Sequence, residues 1–135
     1  MEQHLSIKVL SGIYSILKVK DSPGLPEIVN RTGNGFFSLM RLAGEWTLIC
    51  ENGEMSDDSL VVDSSHGWRV FFIDEPLMFD MIGVIYRITE ILKDAGISVM
   101  AISTFSTDAF LVREDDLQPS LRALQARGFS VPDLS

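Results

Sequence analysis

Residues 77–112 read LMFDMIGVIYRITEILKDAGISV followed by MAISTFSTDAFLV. The first part repeats apolar residues at helical spacing. Ile82, Ile85, Ile88, Leu92 and Ala95 share one face, and Arg87, Glu90, Lys93 and Asp94 share the other. Side chains three or four apart meet on one side of a helix, so the spacing predicts a helix within residues 77–96. Asp80 is placed as its N-cap, because a short carboxylate there accepts first-turn N–H groups. Gly96 is placed just past its end, where the chain turns through a positive φ. From Ile97 the period changes to two. Ile97, Val99, Ala101 and Ser103 alternate with Ser98, Met100, Ile102 and Thr104, and both sets contain apolar groups. That pattern predicts a strand over residues 97–105 that is central and covered on both faces. Ser106-Thr107-Asp108 is a turn, and residues 109–112 return as another strand.

Working outward, residues 70–73 form an apolar run long enough only for a strand. On the far side, Asp115 or Asp116 opens a second helix with Pro119 in its first turn. Leu117, Leu121 and Leu124 line one side of it, Gly128 ends it, and residues 129–131 form a last short strand. The second half therefore reads β-α-β-β-α-β, the split βαβ or ferredoxin-like order, and the fold class is α+β.

The first half is richer in strand and poorer in helix. Residues 5–20 alternate on either side of Ser11-Gly12 and read as a hairpin. Residues 21–26 gather chain breakers, residues 27–30 have room for one helical turn, and residues 32–35 form a glycine loop. Residues 36–42 and 45–51, separated by Ala43-Gly44, read as a second hairpin. Residues 60–62 suggest a short strand, and Ser64-Ser65-His66-Gly67 a turn. We divide the chain into residues 1–66 and 67–135, the first half being a degenerate copy of the second.

Composition narrows the functions. The chain has 135 residues, 46% of them hydrophobic, with 11 Lys plus Arg against 19 Asp plus Glu. The net charge of -8 repels phosphate backbones and anionic membranes, so we expect no nucleic-acid and no membrane partner. No apolar run approaches the roughly 18 residues of a transmembrane helix. The N-terminal residues do not pattern as a signal peptide. A cytoplasmic location is expected. With Cys50 the only cysteine, neither an intrachain disulfide nor a cysteine-rich zinc site can form.

No catalytic pattern emerges. His4 and His66 are the only histidines, and neither carries a nucleophile signature with Cys50. They read as surface histidines beside a strand cysteine. Gly33-Asn34-Gly35 is a turn rather than a phosphate loop. The run Gly67-Trp68-Arg69-Val70-Phe71-Phe72 lacks the second small residue of an RNA-recognition strand. A phosphatase-like anion nest is opposed by Asp74, Glu75 and Asp80 in the first strand-to-helix loop. Glu114-Asp115-Asp116 is a helix N-terminal cluster favoured by the macrodipole, not a metal site. We expect no catalytic residues, no metal and no cofactor.

Residues 77–112 together resemble an ACT domain, the small regulatory module of aspartate kinases and other amino-acid enzymes. The shared features are a glycine-containing turn into a helix, then Ala95-Gly96-Ile97-Ser98-Val99 into the second strand. The I-S-T-F-S-T-D segment, residues 102–108, is similar to short bacterial proteins with two ACT domains, and these are similar to the arginine-sensing CASTOR proteins. Residues 35–50, GFFSLMRLAGEWTLIC, resemble the first, degenerate ACT domain of that subgroup. Many ACT domains carry Pro-Gly-Val before the first helix, where this chain has Ile82-Gly83-Val84.

The resemblance implies an amino-acid-like ligand beside the first helix turn. Backbone N–H groups at Met81, Ile82, Gly83 and Val84 suit a carboxylate. Asp80, Thr107 or Asp108 supply acceptors for an ammonium group, and Ser103 and Thr104 add hydroxyls. On local chemistry alone, Asp80 is equally an N-cap and Thr107-Asp108 equally a turn. The expectation is a non-catalytic, allosteric regulatory protein that binds a small amino-acid-like ligand and acts on a further protein. Open sheet edges in both halves imply a homodimer. The alternative is an interaction or dimerisation module without a ligand.

Overall fold

The computed structural model describes residues 5–21, 35–53, 58–75 and 83–132. The chain divides into two compact units, Met1–Ser11 with Arg69–Ser135, and Gly12–Trp68. We call them the helical unit and the sheet unit. The sequence-based division at residue 66 differs chiefly in its first segment, since residues 5–11 pack with the end of the chain.

The helical unit contains β1 (Ile7–Val9), the end of β5 (Val61–Ile73), α1 (Val84–Asp94), β6 (Val99–Ser103), β7 (Asp108–Arg113) and α2 (Leu117–Ala126). A 3-10 turn, Glu114–Asp116, leads into α2. The strand order is β1-β5-β7-β6. This is the ferredoxin-like order with two helices, so the α+β expectation holds. β1 pairs antiparallel with β5, Ile7 opposite Ile73 and Val9 opposite Phe71. It fills the place of the fourth strand. The C-terminal segment read as that strand makes only a parallel bridge, Ser130 to Ser6.

Both helices end in the same way. Gly96 has φ 76°, and Gly128 has φ 100°. The N–H of Ile97 reaches the Leu92 carbonyl at 2.9 Å, and that of Phe129 reaches Leu124 at 3.1 Å. These are Schellman turns, which satisfy carbonyls left over at a helix end and favour glycine at the left-handed position.

One core holds this unit together. Phe71 and Ile73 of β5 and Phe110 and Val112 of β7 meet Ile88, Ile91 and Leu92 of α1 and Leu117, Leu121 and Leu124 of α2. Phe71 and Phe110 stack with centroids 5.3 Å apart. The inward stripe of α1 differs from the expected one. Val84, Ile88, Ile91 and Leu92 face the core, whereas Ile85 and Ala95 are exposed. Val84 and Ile91 carry that face, which is rotated from the stripe drawn through Ile85 and Ala95.

The central-strand reading is also corrected. β6 is an edge strand, with Ala101 and Ser103 exposed. The doubly covered strand is β7, where Ala109, Phe110, Leu111 and Val112 are all buried.

The sheet unit contains β2 (Tyr14–Val19), β3 (Ser38–Leu42), β4 (Glu45–Glu51) and the start of β5, in the order β3-β4-β2-β5. The β3–β4 hairpin is as expected. Ala43 and Gly44 both have positive φ, as a tight two-residue hairpin turn requires. The expected first hairpin is not formed. β2 pairs with β4 and with residues 61–68 of β5, while β1 pairs with residues 71–73.

β5 itself overturns two readings. The strands expected at residues 60–62 and 70–73 are one strand of 13 residues. The polar run Ser64-Ser65-His66-Gly67 is strand, not turn. The register against β2 slips by one residue there, and Gly67 has φ 83°. A β-bulge absorbs the glycine and lets a polar stretch stay paired. Tyr14 is fully buried, receives the Phe36 N–H at 3.2 Å and donates to Glu51 Oε1 at 3.5 Å. Burial pushes its phenol pKa upward, because the charged phenolate would lose its water.

The sequence reading of residues 27–30 as a helical turn, and of Gly33-Asn34, lies outside the described residues. Among the described residues, no helix is long and apolar enough to cross a membrane, and no group of His, Cys, Asp or Glu is arranged to hold a metal.

Candidate functional site

The described residues of the expected site fall at the start of α1 and in the β6–β7 hairpin. Asp80, Met81 and Ile82 lie outside the described residues. Gly83 is the N-cap of α1, at φ 89°. Its carbonyl receives the Arg87 N–H at 2.8 Å. Glycine is suited to that backbone, and it brings no side chain to cap the first turn. The N–H groups of an α-helix's first turn have no partner within the helix, and Gly83 supplies none from a side chain. A Cβ added to Gly83 would meet nothing within 4 Å. Val84 turns its side chain toward the core, so its contribution to a ligand would be its backbone.

The other four residues are gathered in the β6–β7 hairpin. Ser103 donates to Asp108 Oδ1 at 2.7 Å. The Thr104 hydroxyl donates to the Thr107 carbonyl at 3.0 Å and accepts the Thr107 N–H at 3.1 Å. Thr104 N–H also reaches the Thr107 carbonyl, at 2.8 Å. Two threonines thus lock a tight turn, as short hydroxyl side chains do. The Thr107 hydroxyl donates to the Ile73 carbonyl at 2.7 Å. That bond ties the hairpin to the end of β5, beside Asp74.

This geometry sorts the candidates. Thr104 and Thr107 spend their hydroxyl protons on backbone carbonyls, which is a structural task. Asp108 is a partly exposed carboxylate held in place by Ser103. A carboxylate accepts several hydrogen bonds, so it retains capacity for a cation. Asp74 is paired with Lys8 at 3.1 Å across two exposed side chains. The hairpin thus holds Asp108 in place, and Gly83 begins α1.

Sequence reasoning set His66 aside as a surface histidine in a turn. It is exposed as expected, but the structure places it in β5, with Nδ1 2.7 Å from the hydroxyl of buried Ser15. The bulge at Gly67 disguised the strand, and no local pattern links residue 15 to residue 66.

The strand order and the two helices define a ferredoxin-like α+β domain. Residues 63–126 match the family model of the ACT domain, and through that stretch the chain belongs to the ACT domain family. The chain is similar to the human cytosolic arginine sensor for mTORC1 subunit 1, 34% identical over 97 residues. That match covers 68% of this chain and 30% of the sensor, so the chain spans about a third of the curated relatives' length. It is also similar to the crystal structure of a protein from Agobacterium tumefaciens. The TM-score is 0.82 at 29% identity, covering 97% of this chain and 94% of the other. The ligand-free regulatory subunit of aspartate kinase from Thermus thermophilus shares the fold. There the TM-score is 0.65 at 8% identity, with 90% and 96% covered.

Proposed function

We propose that this protein is a non-catalytic regulatory protein whose ACT domain binds a small amino-acid-like ligand. Membership of the ACT family and similarity to an arginine sensor support a regulatory, ligand-binding role. The observation that carries the finer reading is the start of α1 at Gly83, which takes a left-handed backbone and brings no side chain of its own to the first turn. First-turn N–H groups would take the ligand's carboxylate, and Asp108 its ammonium. Met81 and Ile82 would extend the donor row and Asp80 the acceptors. Ligand binding would favour one arrangement of this protein, or one oligomer, over another. Pairing as a homodimer and a cytoplasmic location belong to the same proposal. So does a division of labour in which residues 67–135 bind the ligand and residues 1–66 support them.

The test is thermal melting of the full chain against each of the twenty amino acids. A ligand at about a hundred times its Kd adds roughly 2.7 kcal/mol, on the order of 10 °C for a chain of this size. Gly83→Asp should abolish the shift by setting a negative charge among the donors. Gly83→Asn tolerates the left-handed backbone and should retain most of it. No shift with any amino acid, from a protein that melts cooperatively, would overturn the reading. That result would favour a ligand-free pairing module using the open edges of β3 and β6.

A further inference from the structure

Asp108 can serve an ammonium group only if the β6–β7 hairpin holds it at a set place. It is the first residue of β7 and stands opposite Ser103, the last of β6. Residues 104–107 turn the chain between them. Thr104, Phe105 and Ser106 are exposed, and Thr107 is half-buried. A loop this exposed gains little from apolar burial, so its position depends on its hydrogen bonds.

Those bonds are of two kinds. The first kind stays inside the hairpin. The Thr107 N–H donates to the Thr104 hydroxyl, and the Thr107 carbonyl receives both the Thr104 N–H and the Thr104 hydroxyl. The Ser103 hydroxyl donates to Asp108 Oδ1. Bonds of this kind give the loop a shape, but they move with it when the hairpin end swings. The second kind leaves the hairpin. The Thr107 hydroxyl donates to the carbonyl of Ile73, the last residue of β5, at 2.7 Å. Ile73 is a fixed point, because its side chain is 1% exposed and packs in the helical unit's core. β5 and β7 are neighbours in the sheet, so the bond pins the corner where one strand ends and the other begins.

A threonine hydroxyl has one proton, and here it is spent on Ile73. The branched side chain is also stiff about χ1, which presets the direction of that proton. We infer that Thr107 is the positioning residue of the ammonium site: it acts through Asp108, by fixing the hairpin to β5. The consequence for binding rests on the amino-acid reading above, whereas the placement of Asp108 rests on the hydrogen bonds alone. A binding group works only when a supporting shell holds it in place, and here Thr107 and Ser103 form that shell.

The test compares the full chain with Thr107→Val, which keeps the branched shape and removes the proton, and Thr107→Ser, which keeps the proton. Two measurements are made on each. The first is 15N relaxation with nothing added. Order parameters at residues 104–108 should fall in Thr107→Val and stay close to the parent's in Thr107→Ser. The second is calorimetric titration with whichever of the twenty amino acids shifts the parent's melting most. Thr107→Val should bind it about tenfold or more weakly, and Thr107→Ser within about threefold of the parent. A residue that only stabilised the fold would lower the urea midpoint without moving this affinity in the folded protein. Unchanged order parameters in Thr107→Val would overturn the positioning role whatever binds. So would a loosened loop that still binds within about threefold of the parent, or a loss that Thr107→Ser fails to rescue. If the parent binds no amino acid while Thr107→Val alone loosens residues 104–108, the amino-acid reading falls and the placement of Asp108 by Thr107 stands.

Discussion

The two units build the same strand order by different means. In the sheet unit the order is β3-β4-β2-β5, so the strands stand second, third, first and fourth in chain order. In the helical unit it is β6-β7-β5-β1. Again the second, third and first strands come in line, but the fourth place is taken by β1 from the start of the chain. β5 serves as the last strand of one unit and the first of the other. The helical unit covers its sheet with α1 and α2, whereas the described residues of the sheet unit include only a 3-10 turn, Asp58–Leu60. Packing differs accordingly. Among the described residues, fourteen buried side chains form the helical unit's core cluster, against four in the cluster of Leu17, Val19, Leu48 and Cys50, beside which Tyr14 and Ile49 are also buried.

That contrast can be broken first at the core. Phe110→Ala should cost about 3–5 kcal/mol, since it removes a fully buried ring and its stacking on Phe71. Urea unfolding would measure it. Native-state hydrogen exchange would show whether the loss stays in the helical unit. A loss below 1 kcal/mol would mean that this core does not dominate.

Next come the helix ends. Gly96→Ala and Gly128→Ala should each cost about 1–2 kcal/mol, because each places a Cβ on a left-handed backbone. Neither Cβ would meet anything within 4 Å, so the cost is conformational only. Equal losses at the two sites, read from urea midpoints, would show that both Schellman turns act alike.

In the sheet unit, Tyr14→Phe should cost about 1 kcal/mol by leaving the Phe36 N–H without its acceptor. The pH dependence is its sharper signature. Folding raises the Tyr14 pKa, so its stabilisation is present below the ordinary value near 10 and is lost as pH rises through the folded value. Stability measured between pH 9 and 11 should fall, and Tyr14→Phe should fall less steeply. Parallel slopes for the two proteins would refute this.

The smallest effect is expected at Lys8. Its pair with Asp74 spans 3.1 Å, but both side chains are well exposed. Lys8→Ala should change the stability, read from thermal melting, by less than about 0.5 kcal/mol, and salt should remove even that. A larger loss would mean that β1 depends on this pair.

The amino-acid sequence by itself determined the helices, the β3–β4 hairpin and the ferredoxin-like order of residues 70–126. These rest on short-range physics: a 3.6-residue period, glycines at left-handed positions, Pro119 in a first turn. The IST-FSTD segment also marked the hairpin that gathers Ser103, Thr104, Thr107 and Asp108. Only the tertiary structure decided where β1 pairs, because an alternating pattern names a buried face and not a partner. It alone decided that β7, not β6, is central, since Ala101 and Ser103 suit an edge as well as an interior. It alone joined residues 61–73 into one strand, where a polar bulge held by pairing to β2 overrode a local turn signal. The meeting of Ser15, Asn52 and His66 belongs to the same class. Their separations of 37 and 51 residues leave no trace in any local window.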